Sequence, residues 1–172
     1  MVRRGFTLVE LLVVLAVGAI LLAIAIPGYA HFMNYNRLVT ATNDLVSSLQ
    51  LARSEAIKRG KRVTVCTSSA PMNAVPACDA GADWQHGWLV FVDDGARGTI
   101  DVGDQILKVH GGIPTAEITA TNFSTYASYL PSGGSQGTNG LGNGTLNICL
   151  AGNKRSIIIN KIGRIKIDKK TC

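Results

Sequence analysis

The sequence predicts an α+β fold: a long N-terminal α-helix, membrane anchor in its first half and amphipathic in its second, packed on an antiparallel β-sheet domain. Three observations predict it. From Phe6 to Ile26 the only charged residue is Glu10, and at 1.5 Å rise per residue that stretch spans roughly 30 Å, the hydrocarbon thickness of a bilayer. Helical patterning then runs on past Pro27 as far as Gly60. From Val63 onward, short runs rich in β-branched and aromatic residues are punctuated by Gly, Asn and Asp, with no further helical period.

The apolar helix comes first. Arg3, Arg4, the apolar block and Ala23-Ile24-Ala25 also fit a secretory signal cut after Ala25. Against that template stand Glu10 inside the block and the helical pattern that continues beyond Ala25. A carboxylate in hydrocarbon costs about 2.5–3.5 kcal/mol at mid-depth and demands a partner. Pro27 removes an N–H and crowds the Ala23 carbonyl, so a kink is expected there, eased by Gly28. Beyond it Leu38, Leu45 and Ala52 recur at seven-residue intervals, as do Thr42, Leu49 and Ala56, which draws a narrow apolar stripe on a polar helix. Gly60 after Lys58-Arg59 reads as the stop, with two cations suited to the negative end of the helix dipole.

The strands come next. Val63-Thr64-Val65-Cys66 alternates, and Trp88-Leu89-Val90-Phe91-Val92 is apolar on both faces, as an interior strand beneath a helix must be. Shorter candidates are Gln105–Val109, Ala116–Ala120 and Ser124–Leu130. Leu146-Asn147-Ile148-Cys149 precedes the clearest pair, Ser156–Asn160 and Arg164–Asp168, which flank Lys161-Ile162-Gly163 as a three-residue hairpin loop with Gly163 supplying positive φ. Ser132 to Gly144 holds six glycines and no charge, the composition of a mobile surface loop.

Charge is segregated along the 172 residues. The chain carries +6 overall, but residues 63 to 150 carry −5 and residues 151 to 172 carry +6, from Lys154, Arg155, Lys161, Arg164, Lys166, Lys169 and Lys170 against Asp168. The C-terminal end therefore suits something negative: another molecule, or the acidic part of its own or a neighbouring domain. Four cysteines allow three disulfide pairings. Cys66 with Cys78 would close a short Pro- and Ala-rich loop, and Cys149 with Cys172 would pin the chain end, so this pairing is the expected one. No Cys-x-x-Cys pair exists and His31, His86 and His110 are scattered, which argues against zinc. No metal or cofactor is expected.

Enzyme signatures are absent, so no catalysis is expected. There is no nucleophile elbow and no P-loop, and Gly140-Leu141-Gly142-Asn143-Gly144 lacks the helix that a phosphate-binding loop needs. Asp93, Asp94, Asp101 and Asp104 offer oxygen ligands for calcium, but their spacing is not that of an EF-hand and Asp94-Gly95 reads as a turn. Trp84 and Trp88, with His86 between them, are the residue types that stack on nucleobases; burial against the helix is the commoner fate of such residues.

Arg4-Gly5-Phe6-Thr7-Leu8-Val9-Glu10-Leu11-Leu12 closely resembles the processing site of type IV pilins and type II secretion pseudopilins. The resemblance implies cleavage after Gly5 by a prepilin peptidase, N-methylation of Phe6 as the new N-terminus, and retention of the helix. It also implies a partner for Glu10, the N-terminal amine of a neighbouring subunit in the filament core. Leu51-Ala52-Arg53-Ser54-Glu55-Ala56-Ile57-Lys58-Arg59-Gly60, Val63-Thr64-Val65-Cys66, Trp84, Gly87–Asp93 and Gly163-Arg164-Ile165 resemble the GspH/FimT group of minor pilins and pseudopilins, with the FimU and FimT members the better match. This second resemblance implies a type IV pilin fold, with leader 1–5, anchor helix 6–27, amphipathic continuation 28–60 and β-rich domain 61–172. The implied site is the bacterial inner membrane, single-pass with the C-terminal domain in the periplasm, and later an extracellular pilus.

The implied partners are other minor pilins, the major pilin and the pilus assembly platform, and the implied role is initiating or capping pilus assembly at the tip. Two other roles occur in the group: DNA uptake in natural transformation and type II secretion as a minor pseudopilin. In FimT-type proteins a Gly-Arg-x-Arg motif in the last hairpin is linked to DNA binding. Here it reads Gly163-Arg164-Ile165-Lys166, with lysine replacing the planar arginine fork. On a strand Arg164 and Lys166 project together, and Lys161, Lys154, Arg155, Lys169 and Lys170 are candidates to join them in phosphate contacts that are blind to sequence.

Overall fold

The computed structural model describes residues 7 to 172. Its first element, α1, spans Leu8–Arg59, 52 residues and about 78 Å of unbroken helix that passes through Pro27. Thr7 caps it: its Oγ1 accepts from the Glu10 amide, and the Glu10 carboxylate reaches back to the Thr7 amide, a capping box. Gly60, at φ 64°, ends it in the left-handed conformation, with Lys58 and Arg59 in the last turn.

The two halves of α1 meet different surroundings. From Leu8 to Ile26 the large apolar side chains stay exposed, and no residue of the most apolar 18-residue window is buried. From Leu38 onward, Leu38, Ala41, Leu45, Leu49, Ala52 and Ala56 are each no more than 3% exposed. These are the steps of three and four residues that put one face of a helix on a core.

That buried face rests on the antiparallel β domain expected from the sequence, whose strands form two sheets. The first contains β1 (Val63–Thr67), β2 (Gly87–Val92), β3 (Ile106–Gly111), β5 (Tyr126–Tyr129) and β6 (Ser135–Gly137), in the order β3-β2-β1-β5-β6. The second contains β4 (Glu117–Thr121), β7 (Gly144–Leu150), β8 (Asn153–Ile159) and β9 (Ile165–Thr171), in the order β4-β7-β8-β9. All neighbouring strands are antiparallel. Every residue of β1 and β2 is buried, because their second face is covered too: Cys66, Leu89 and Phe91 pack there with Cys78, Ile100, Ile106 and Tyr126. Between β1 and β2 a short 3-10 helix, Trp84–His86, sends Trp84 into the core.

The chain changes sheet around Asn122, a non-glycine residue at φ 66°, and returns through the Gly-rich stretch. That stretch is pinned down rather than a free loop. It contributes β6, the Ser135 hydroxyl donates to the carbonyls of Gly142 and Asn160, and the Gly137 amide donates to Leu141 O at 2.7 Å. Glycine is required at 137 by close approach: a Cβ there would stand 1.9 Å from Asn122 O. Disulfides join Cys66 to Cys78 and Cys149 to Cys172, with Cα separations of 5.7 and 6.0 Å.

Candidate functional site

The charged site residues expected from the sequence fall in two regions, the start of α1 and the β8–β9 hairpin. Gly5 and Phe6 lie outside the described residues. Glu10 is exposed in the first helical turn, and its carboxylate meets the Thr7 amide at 3.5 Å, long for a bond in which one partner is charged.

Antiparallel register decides where the hairpin cations go. Arg155 stands opposite Lys169, and both fall on the face that looks toward α1. Arg155 is 9% exposed: its Nη2 donates to Tyr35 Oη at 3.2 Å and its guanidinium sits 5.6 Å from the centre of the Tyr35 ring. The hydrogen bond from Arg155, then the charge of Lys169, hold the Tyr35 phenol below its usual pKa. Arg155 thus fastens the helix to the sheet and is removed from any surface patch, and Lys169 leans to the same side. This corrects their grouping with Arg164 and Lys166, because alternate strand positions look to opposite faces.

On the outer face Lys154 stands opposite Lys170, and Lys166 pairs with Asp168 at 2.9 Å. Lys161 and Arg164 are exposed at the turn, where the Arg164 amide donates to Asn160 Oδ1 at 2.8 Å. Arg53 of α1 holds this tip in place. Its Nε donates to Gly133 O at 3.1 Å and its Nη2 to Ile162 O at 3.0 Å, so one guanidinium ties the helix to a loop of each sheet. Gly163 lies beneath it at φ 77°, where a Cβ would stand 2.1 Å from Gly133 O and 3.0 Å from Arg53 Nε. Tyr35 is not singled out by the sequence, and Arg53 reads there as part of the basic, solvated end of the helix rather than as a tie to the sheets. Their 18-residue spacing, five helical turns, was the signal that both look the same way.

The other sequence candidates have structural roles. Trp84 Nε1 donates to Phe123 O at 2.8 Å, and Trp88 Nε1 donates to Ser48 Oγ at 2.9 Å while its ring stacks on His110. Both indoles are buried, beyond reach of a nucleobase. Among the four aspartates, Asp93 takes Arg62, Thr64 and the Gly98 amide, Asp94 takes Lys61, Asp101 takes the Ala96 amide, and Asp104 takes the amides of Asp94 and Asp101. Their oxygens fold the β2–β3 loop upon itself. Among the described residues no group of three or more His, Cys, Asp and Glu converges as a metal site would.

Comparison with known proteins agrees with this architecture. The family described as Type II transport protein GspH matches residues 41–163, and the prokaryotic N-terminal methylation motif matches residues 1–26. The chain is 33% identical over 114 residues to the pilin-like protein PilA1 of Thermus thermophilus, a match covering 65% of this chain and 62% of that one. It is 41% identical over 61 residues to a fimbrial protein of Pseudomonas aeruginosa, covering 36% of this chain and 39% of that one. The chain therefore spans less than two thirds of the length of these relatives. Among solved structures, the type IV minor pilin FimU of Pseudomonas aeruginosa overlays with TM-score 0.60 at 20% identity, covering 80% of this chain and 92% of that one. The minor pseudopilin EpsH of the Vibrio cholerae type 2 secretion system overlays with TM-score 0.51 at 12% identity, covering 76% and 94%. At these identities the two overlays are a likeness of fold.

Proposed function

The chain belongs to the family described as Type II transport protein GspH, and on that premise we propose that it is a minor pilin that takes part in initiating or capping type IV pilus assembly at the filament tip. The observation that carries this reading is one helix serving two environments: an exposed apolar half bearing a lone acid, continuous with a half whose apolar stripe is the spine of the domain. A free-standing globular protein has no use for the first half. A filament subunit uses it twice, as a membrane anchor before assembly and as core afterwards.

In this reading prepilin peptidase cleaves after Gly5 and Phe6 becomes the N-methylated terminus, leaving the helix on the protein. The subunit waits in the inner membrane with its C-terminal domain in the periplasm. Among the described residues the Glu10 carboxylate has only its long contact to the Thr7 amide. On assembly it meets the N-terminal amine of a neighbouring minor or major pilin, in surroundings whose low dielectric strengthens the attraction. The family is one of structural subunits, and the reading gives this chain no catalytic step.

Glu10→Leu tests the pairing. Membrane insertion should be unchanged, since an apolar side chain suits hydrocarbon at least as well. The variant's share of sheared filaments should fall. Incorporation equal to that of the parent would refute the role given to Glu10.

A further inference from the structure

The second sheet ends on β9, and among the described residues no strand lies on its far side. Exposed edges are ordinarily blunted by brevity, bulges, cover or charged side chains, lysine above all. The other three edges show such devices. β6 is three residues long, β3 meets β2 through a register shift at Val90/Phe91, and the β4 amide of Ile118 donates to the Gln85 side chain. β9 is seven residues long, with an unbroken register to β8 and no proline, and its one such device is charge: Lys166, Lys169 and Lys170, which guard against another basic strand but not against an acidic one.

Its register also identifies which backbone groups are open. Asn160 N donates to Arg164 O and Cys172 N donates to Gly152 O, each at 3.1 Å, at the two ends of the β8–β9 ladder. Bonded and non-bonded pairs alternate in an antiparallel ladder. Lys166, Asp168 and Lys170 therefore bond to β8, and the N–H and C=O groups of Ile165, Ile167, Lys169 and Thr171 point out of the sheet. The side chains of Ile165 and Ile167 lie on the helix-facing side, and Ile167 remains 38% exposed. At the turn a shallow cavity of about 390 Å³ is lined by Ile158, Asn160, Arg164, Ile165 and Lys166. Both ends of the edge are fixed, one by the Arg53 bond to Ile162 O and the other by the Cys149–Cys172 disulfide.

We propose that the free edge of β9 is a strand-addition site that accepts an extended protein segment of alternating acidic and apolar residues from a neighbouring subunit. The open amides and carbonyls supply the ladder, Ile165 and Ile167 receive the apolar positions, and Lys154, Lys166, Lys170 and Arg164 face the acids. The same lysines repel a second β9, so the edge selects an acidic partner over its own copy. Protein fits better than nucleic acid here. A nucleic acid has no N–H and C=O repeat to complete the ladder that the open groups of Ile165, Ile167, Lys169 and Thr171 offer, whereas an extended peptide does. Arg155 is committed to Tyr35 rather than to phosphate. The proposal rests on the reading of this chain as one protein subunit among others.

Residue-resolved hydrogen exchange on the full-length protein in detergent micelles tests it, using as probe a synthetic peptide of alternating Glu and Val matched to β9 in length. Addition of the peptide should slow exchange at Ile165, Ile167, Lys169 and Thr171 and leave Lys166 and Asp168 little changed. Ile167→Pro removes an outward N–H without costing a bond to β8, and should weaken peptide binding roughly tenfold. Should that variant misfold, Lys166→Glu with Lys170→Glu leaves the backbone intact and should weaken binding by a similar factor. No alternating protection, or affinity untouched by both sets of changes, would overturn the proposal. So would tighter binding of a single-stranded oligonucleotide that depends on Arg164 and not on the Ile167 amide. Failure here leaves filament membership standing, because Glu10→Leu reads that separately.

Discussion

Gly152 and Gly163 form a matched pair at the two ends of β8. Their backbone angles are nearly the same, φ 79° and φ 77°, yet a Cβ on Gly152 meets nothing within 4 Å while one on Gly163 stands 2.1 Å from Gly133 O. Substituting alanine at either position incurs the left-handed backbone penalty of a residue with a Cβ, about 1–2 kcal/mol. Only Gly163→Ala must also displace a carbonyl that Arg53 holds, an overpacking cost of about 1–3 kcal/mol. The expected losses are thus about 1.5 kcal/mol for Gly152→Ala and about 3.5 kcal/mol for Gly163→Ala. Urea unfolding of the full-length protein in micelles, followed by the fluorescence of the buried Trp84 and Trp88, measures both. Equal losses would refute the claim that Gly163 is demanded by the meeting of the hairpin turn, the Gly-rich stretch and Arg53. They would also return the glycine of Gly163-Arg164-Ile165-Lys166 to a simple turn former.

Buried groups and cross-links have consequences of their own. The Tyr129 hydroxyl is buried with no hydrogen-bond partner among the described residues, and burial raises its pKa. A folded pKa above the unfolded value of about 10 means that this contribution is fully present below pH ~10 and is lost as pH rises beyond it, when the unfolded chain ionises first. Tyr129→Phe should therefore stabilise by about 1 kcal/mol at neutral pH and flatten the alkaline loss, as denaturation at pH 7 and pH 11 would record. Replacing Cys149 and Cys172 by alanine opens a link across 23 residues and should cost about 3 kcal/mol by denaturation, with β9 exchanging its amides ahead of β7.

The helix was the most legible part of the chain, because its signals are local. Hydrocarbon length, a seven-residue recurrence from Leu38 to Ala52 and a stop at Gly60 lie in unbroken sequence, and each describes the element that carries it. The interior character of β2 was legible for a similar reason, since a run apolar at every position needs cover on both sides. The division into two sheets was not, because it depends on a crossing at Asn122 and on glycines whose value is space for a distant carbonyl. Composition marked the Gly-rich stretch as loose, whereas its glycines let backbones approach and bond. The basic hairpin shows the same limit. Seven cations in 22 residues announce a charged surface, but Tyr35, 120 residues from Arg155, decides which of them leaves it.

Filament membership requires that the apolar helix be kept by the subunit that enters the filament. Mass spectrometry of the N-terminal peptide of this protein, recovered from sheared and washed filaments, tests that most directly. A peptide beginning at methylated Phe6, with Glu10 within it, is the result expected. A chain beginning at Ile26, or one released to the medium and absent from filaments, would contradict it.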